Sequence, residues 1–131
     1  MMSAAELAYR ALAADAALGS IVGDRIHTHV PARTREPYVV VAEVVARPWD
    51  TATDRGRLED VTIEVWSRSS RRAEIAAAVA RIEEALRFER VAPLGSGLVN
   101  VVRGETRTLR FPERGLVRAT MRFRFTSEDT P

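Results

Sequence analysis

The stretch from Glu59 to Arg87 constrains the fold most, because it predicts a strand that runs directly into an amphipathic helix. Apolar side chains first alternate with polar ones, as in a half-buried strand. Apolar residues then recur at spacings of four, three and four, the stripe of a helix that packs on one side. These apolar positions are Val61, Ile63 and Val65, followed by Ile75, Val79, Ile82 and Leu86. Ser69 and Ser70 are the predicted N-caps. The stretch therefore indicates a helix laid on a sheet.

The size of the chain predicts a single domain over residues 1–131, and its 46% hydrophobic and 29% charged residues are typical of a globular protein. It contains no cysteine, which excludes disulfides, thiolate metal sites and cysteine nucleophiles. All 20 basic residues are arginines, whose planar guanidinium groups are enriched at interfaces. The net charge of only +2 does not require a nucleic-acid partner.

No apolar run is long enough to span a bilayer, and the N-terminus lacks the charged and apolar regions of a signal peptide. We therefore expect no membrane partner and a protein that is made and used in the cytoplasm.

Two helical segments are predicted before the first strand. Ser3 and Glu6 have the spacing of a capping box, and Asp15 is placed to cap a second, shorter turn. Ile26 to Val30 is a short strand candidate that ends at Pro31. The run from Tyr38 to Val45 is strongly β-prone, and its first half is apolar on both alternations, so we expect it to be covered on both faces.

Two further strands are predicted after the central helix. Leu98 to Arg110 alternates less regularly, which indicates a bulge near Gly104. The strand from Val117 to Phe125 alternates strictly. Asp60 and Glu64 would line the polar face of the central strand and Arg118, Arg122 and Arg124 that of the final strand, so opposite charges place these two strands side by side. The predicted fold class is α+β, a single-layer antiparallel-rich β-sheet with two main helices packed on one face.

No catalytic, cofactor-binding or metal-binding residues are predicted. His27 and His29 would share one face of a strand, but no third ligand has recognisable spacing. Leu94 to Gly97 does not have the spacing of a nucleophile elbow. In the final strand, Phe123 and Phe125 lie on the face opposite to the arginines, where they cannot stack on bases. An enzyme is therefore not expected, and a small arginine-rich nucleic-acid-binding module is the weaker alternative.

The order of several short motifs resembles the small tail-completion proteins of siphophages, prophages and gene transfer agents. The motifs are Leu18 with Gly23-Asp24-Arg25-Ile26, Val30-Pro31, Pro37-Tyr38-Val39-Val40, Trp49, Val61-Thr62-Ile63-Glu64-Val65-Trp66-Ser67-Arg68, and the helix end Glu84-Ala85-Leu86. This resemblance covers nearly the whole chain. It implies a ring-forming subunit, similar in fold to lambda-type tail terminators, and carries no catalytic motif.

The resemblance further implies a hexameric ring that caps the tail tube, ends its polymerisation and joins it to the neck. The expected partners are further copies of the chain, the tail tube protein, a head-side stopper or connector, and double-stranded DNA that passes through the lumen without sequence-specific binding. The expected location is the tail–neck junction of a virion assembled in the bacterial cytoplasm. Another neck component, such as a head-closure protein or an adaptor, is the alternative within the same class.

Two polar loops are the predicted subunit or tube interface. One runs from Pro31 to Glu36, and the other, from Pro48 to Leu58, is either a long hairpin connection or a projecting β-arm. The candidate interface residues in these loops are Arg33, Arg35, Trp49, Arg55 and Arg57.

Overall fold

The computed structural model of the chain describes residues 2–50 and 55–129, which form helices, strands and two 3₁₀ turns. The helices are α1 (Ala4–Ala14), α2 (Ala16–Val22), α3 (Arg72–Ala85) and α4 (Phe88–Val91), and the 3₁₀ turns are Ala92–Leu94 and Pro112–Arg114. The strands are β1 (Ile26–His27), β2 (Tyr38–Pro48), β3 (Arg55–Arg68), β4 (Leu98–Phe111) and β5 (Leu116–Asp129).

The strands form one five-stranded sheet in the order β1-β2-β3-β5-β4. Only the two-residue strand β1 pairs in parallel, with β2, and the other three pairings are antiparallel. The α+β, antiparallel-rich fold predicted from the sequence is therefore confirmed.

The pairing of β3 with β5 is the longest in the sheet, and it joins all 14 residues of each strand. Asp60 lies directly opposite Arg124, and Nε of Arg124 donates to Oδ1 of Asp60 at 2.8 Å. The neighbouring placement of these strands, predicted from their opposite charges, is thus confirmed.

All of the helices contribute to one apolar core on one face of the sheet. Strands β2, β3 and β5 supply alternate residues, including Val61, Ile63 and Val65 of β3 and Met121, Phe123 and Phe125 of β5. From the helices come Leu7 and Leu12 of α1, Leu18 of α2, and Ile75 and Ile82 of α3. No described helix contributes to the opposite face of the sheet, which we call the open face.

The first two helices begin where the sequence predicts, but the third does not. Oγ of Ser3 accepts a hydrogen bond from the backbone of Glu6, and Oδ2 of Asp15 accepts one from the backbone of Leu18. The predicted caps Ser69 and Ser70 are wrong. The chain turns at these serines, so that α3 has Arg71 as its N-cap, without a side-chain hydrogen bond.

The histidine pair does not share a strand. His27 is the last residue of β1, whereas His29 lies in the bend that leads toward Pro31 and is exposed. The strand predicted to reach Val30 is therefore two residues long, because only Ile26 and His27 find partners on β2.

Two other details of the sheet confirm the sequence analysis. The register of β4 against β5 shifts between Arg103 and Thr106, at the expected bulge. Val39, Val40 and Val41 are all buried, so the start of β2 is covered on both faces, while most residues from Ala42 onward are exposed.

A buried carboxylate joins the helices to one another. Asp15 lies between α1 and α2 with only 4% of its surface exposed. Its two oxygens accept hydrogen bonds from Nη2 of Arg81 in α3 at 3.0 Å and from Nε of the same residue at 3.3 Å. Arg90 of α4 adds a longer contact of 3.4 Å. The hydrogen bond from Arg81 is the main cause that lowers the pKa of Asp15 below its ordinary value.

We expect Asp15→Asn to lower the free energy of unfolding by about 1–3 kcal/mol, less than for a fully buried pair because both arginines reach solvent. The folded-state pKa of Asp15 is lowered, so its contribution is present above the unfolded carboxyl pKa of about 4 and is lost as pH falls through the folded value. Urea unfolding from pH 7 to pH 3 should therefore show the difference between wild type and variant shrinking in acid.

The matched control is Glu6→Gln, which removes an exposed ion pair with Arg10. Exposed pairs of this kind contribute less than about 1 kcal/mol, so this variant should unfold almost like the wild type. Equal losses in the two variants would contradict a central role for Asp15.

Candidate interaction surfaces

The long strands give the sheet two ends, and the predicted interface residues divide between them. At the tip end, β2 finishes at Pro48, and β3 and β4 begin at Arg55 and Leu98. At the opposite end, which we call the loop end, β3 finishes at Arg68 and β2 begins. The 14 residues of β3 separate these ends by roughly 40 Å at about 3.3 Å per residue.

Trp49, Arg55 and Arg57 lie together at the tip end. The backbone N–H of Trp49 donates to the carbonyl of Gly56 at 2.8 Å, which extends the pairing of β2 with β3 beyond Pro48. Strand β5 accompanies β3 as far as Arg55. This region is therefore a continuation of the sheet. Residues 51–54 of the predicted loop lie outside the described residues.

Exposure differs among the three tip residues. The side chain of Arg55 is exposed, and Trp49 is 38% exposed. Arg57 is half-buried and forms an ion pair with Glu59 at 2.9 Å. Glu59 is buried on the core side, where its other oxygen accepts a hydrogen bond from the first backbone N–H of α1, at Ala4. Arg57 thus also holds the carboxylate that caps this helix.

Arg33 and Arg35 lie at the loop end, in the connection between β1 and β2. Both side chains are exposed, and Arg33 has a positive φ of 63°. The neighbouring Glu36 contacts Arg68, the last residue of β3, at 3.8 Å, which places this loop beside that end of the sheet. The five predicted interface residues therefore belong to two separate surfaces.

A cluster of aromatic rings and arginines covers the open face near the loop end. The ring of Trp66 stacks on Tyr38 at a centroid distance of 6.4 Å and on Phe111 at 5.4 Å. The guanidinium of Arg118 lies over both Trp66, at 5.5 Å, and Phe111, at 5.3 Å. Arg114 lies over Trp66 at 5.8 Å. Burial raises the pKa of the Tyr38 hydroxyl.

The open face nearer the tip end carries a row of ion-paired side chains. Asp60 accepts hydrogen bonds from Arg124 on β5 and, at 2.8 Å, from Nη2 of Arg47 on β2. The bond from Arg124 is the main cause that lowers the pKa of Asp60. A shallow depression of about 450 Å³ lies above this row and reaches from Val45 on β2 to Val102 on β4.

The sequence indicated neither the aromatic cluster nor the contact between Asp15 and Arg81. Tyr38, Trp66 and Phe111 come from three strands, and only their register on one face brings them together. Asp15 and Arg81 are 66 positions apart. The cluster could have been predicted from the alternation of β5, because this alternation places Arg118 on the same face of the sheet as Trp66.

Residues 2–50 and 55–129 contain no group of three or more side chains that could hold a metal ion. In the same residues, no helix has the length and apolar character needed to cross a membrane.

A family model described as "Tail completion protein gp17" matches residues 8–128. The chain belongs to this family. It is therefore a structural tail protein of the phage or gene transfer agent type and not an enzyme. The membership that the sequence motifs indicated is confirmed.

Among solved structures, this tail completion protein resembles a chain of a structure described as "Virion of native gene transfer agent (GTA) particle". The two chains share 26% identity and a TM-score of 0.80, over 93% of this chain and 92% of that one. A comparison with curated proteins finds no match.

We expect Gly56→Ala to disturb the tip end of this tail completion protein. A Cβ at Gly56 would come within 2.8 Å of Cε3 of Trp49 and would also meet the Trp49 carbonyl. Overpacking of this kind costs about 1–3 kcal/mol of unfolding free energy. The indole N–H resonance of Trp49 should move in an NMR spectrum, while that of Trp66 should stay in place.

Gly19→Ala is the control, because a Cβ there meets nothing within 4 Å and the residue lies in α2. This variant should be neutral or more stable by up to about 1 kcal/mol. An unchanged Trp49 resonance in Gly56→Ala would contradict the described contact between the two residues.

Proposed function

We propose that the protein is a tail terminator, which forms a hexameric ring on the last ring of the tail tube, ends tube polymerisation and joins the tube to the neck. The observation that carries this proposal is the family match over residues 8–128. It is supported by the likeness to a chain of a gene transfer agent virion over nearly the full length of both chains. In this proposal, residues 1–131 act as one tail-terminator-like domain.

The division of the candidate residues between two ends of the sheet supports a subunit with two axial neighbours. A terminator ring contacts the tube on one side and a head-side stopper or connector on the other. Exposed arginines at the tip end and at the loop end offer planar, bidentate contacts to both. We assign one axial contact to each end.

Trp49 and Arg55 are the proposed contact residues at the tip end, and Arg33 and Arg35 are those at the loop end. Arg57 also belongs to the tip surface, but it is a poor probe of docking because it is paired with the buried Glu59. Loss of Arg57 would leave this carboxylate without its ion pair and would affect folding as well as binding.

A nucleic-acid-binding module is less well supported. Several arginines of the open face are already engaged by Trp66, Phe111 or Asp60. We propose that double-stranded DNA passes through the ring lumen without sequence-specific binding. The ring then acts at the tail–neck junction of a virion that is assembled in the bacterial cytoplasm.

The test is to polymerise the partner tail tube protein with and without this protein and to measure tube length by negative-stain microscopy. Wild type should cap tube ends with six-subunit rings and fix their length. Long, uncapped tubes together with rings found only at the head side would instead identify another neck component. Tight binding of short DNA duplexes that weakens steeply with salt, without rings, would identify the nucleic-acid module.

Paired variants should separate the two axial contacts. If the tip end meets the tube, Trp49→Ala with Arg55→Ala should reduce capping at least tenfold, because tryptophan and arginine are among the residue types that dominate the binding energy of interfaces. Arg33→Ala with Arg35→Ala should then leave capping intact and impair joining to heads. The reverse pattern would assign the tube to the loop end.

Arg10→Ala is the control for loss of an exposed arginine, since its partner Glu6 is on the same helix. It should leave both capping and joining unchanged. Wild-type behaviour of both paired variants would contradict the assignment of axial contacts to the two ends.

A further inference from the structure

Both lateral edges of the sheet are open near the tip end. Strand β1 pairs only with Val39 and Val40, so among the described residues β2 has no partner on that side from Val41 to Pro48. Among the same residues, β4 pairs with β5 on one side and with no strand on the other. An open edge presents unpaired backbone N–H and C=O groups, which form a template for another strand.

The exposed apolar side chains of the protein are concentrated on these two edges. Of the six large apolar side chains that are exposed among the described residues, five belong to β2, to β4 or to the residue directly after β2. These five are Val45, Trp49, Val99, Val102 and Leu109. Exposed apolar groups gathered in this way mark an interaction surface rather than scattered surface positions.

The register places two of these valines at opposite ends of one cross-strand row. Val45 lies opposite Asp60, Asp60 opposite Arg124, and Arg124 opposite Val102. In the middle of the row, Asp60 and Arg124 form an ion pair. At its ends, Val45 is 49% exposed and Val102 is 50% exposed. In the same way, Ala46 and Pro48 on the first edge lie level with Val101 and Leu98 on the second, so apolar residues occur at matching heights.

The β4 segment lacks the features that normally protect sheet edges, whereas the β2 segment carries Pro48 and Arg47, the latter paired with Asp60 of its own subunit. Leu98 to Val102 contains neither charge nor proline, although edge strands commonly carry both. Beyond the bulge at Arg103, β4 becomes charged, with Glu105, Arg107 and Arg110. The bulge of β2 lies beside Val44, which is level with Arg103, so the two edges are interrupted at nearly the same height.

Strand directions permit a continuous sheet between copies. Each of the pairings from β2 to β3, β3 to β5 and β5 to β4 is antiparallel, so β4 runs opposite to β2. In a ring, rotation about one axis carries each subunit onto the next in a head-to-tail manner. The β4 edge of one subunit then meets the β2 edge of the next as an antiparallel pair, which continues the alternation within each subunit.

We infer that, in the ring proposed above, the segment Leu98–Val102 of one subunit pairs with the segment Val44–Pro48 of the next copy, with Val102 beside Val45. The inference rests on the proposed ring and names the contact that closes it. The occupant of each edge is a second copy of this chain, because the two edges are complementary in height, direction and apolar character.

Engineered disulfides test this contact directly, since the natural chain has no cysteine. Within one subunit, Val45 and Val102 are three strand spacings apart, about 14 Å, which is too far for a disulfide. Mild oxidation of the double variant Val45→Cys, Val102→Cys, in the presence of tube protein, should yield a ladder of linked chains that ends at six. Each single variant should give at most dimers.

The double variant Val45→Cys, Leu109→Cys is the matched control, because Leu109 is equally exposed but lies level with Tyr38 at the loop end. It should give at least tenfold less cross-linked product. Equal ladders from the two double variants, or rings seen by microscopy without a ladder, would overturn the edge pairing while leaving the ring itself standing. Absence of wild-type rings, with and without tube protein, would overturn the proposed function and this inference together.

A charge pair provides a second test that needs no oxidation. Val102→Lys should reduce the ring fraction in native mass spectrometry at least tenfold, because a lone charge then enters an apolar contact. Adding Val45→Glu should restore most of the loss by pairing the two charges across the contact. If Val102→Lys alone formed rings as well as the wild type, pairing between copies would be contradicted. Binding of a peptide from another tail protein at this edge would contradict it as well.

Discussion

The pairing of β3 with β5 along 14 residues is the constraint on which the other features of the structure depend. Its core-facing residues, such as Ile63 and Phe123, are fully or almost fully buried under helices that lie on one face of the sheet. Among the described residues, no helix covers the opposite face, and most of β2 beyond Val41 and most of β4 are consequently exposed. A fold built in this way retains open edges and two exposed strand ends, and these are the surfaces through which a structural tail protein can contact its neighbours.

Many charged side chains of this protein form ion pairs and hydrogen bonds that join elements of the fold. Asp15 joins two helices to α3 and α4, Glu59 caps α1 from the sheet, and Asp60 bridges β2 and β5 on the open face. Since many carboxylates already have arginine partners, the basic composition does not produce a bare cationic surface. The described arginines that remain exposed at the strand ends, such as Arg33 and Arg55, are therefore the better candidates for contacts with other proteins.

Local sequence patterns predicted the helices and strands well, because hydrophobic periodicity and helix-capping side chains are encoded within a few residues. The strict alternation of Val117 to Phe125 and the cap at Asp15 are examples. The charges of β3 and β5 also indicated that these strands are neighbours, which the pair of Asp60 with Arg124 confirms. The sequence did not indicate contacts set by register between distant strands, such as the stack of Trp66 on Phe111.

It also did not indicate that the five interface candidates divide between two ends, since this depends on the full length of β3. The serine cap of α3 failed because Ser69 is held in a turn, where its backbone donates to Gly115. In each of these cases the outcome depends on contacts between distant parts of the chain, which local sequence patterns do not encode.

The most direct test of the proposed ring is a cryo-electron microscopy reconstruction of tail tubes assembled with this protein. We predict six copies at the tube end, with β4 of each copy about 5 Å from β2 of the next, the spacing of paired strands. One axial contact should involve the tip end of the sheet and the other the loop end. Copies placed elsewhere in the particle, or a ring whose neighbouring sheets do not meet at these strands, would contradict this prediction.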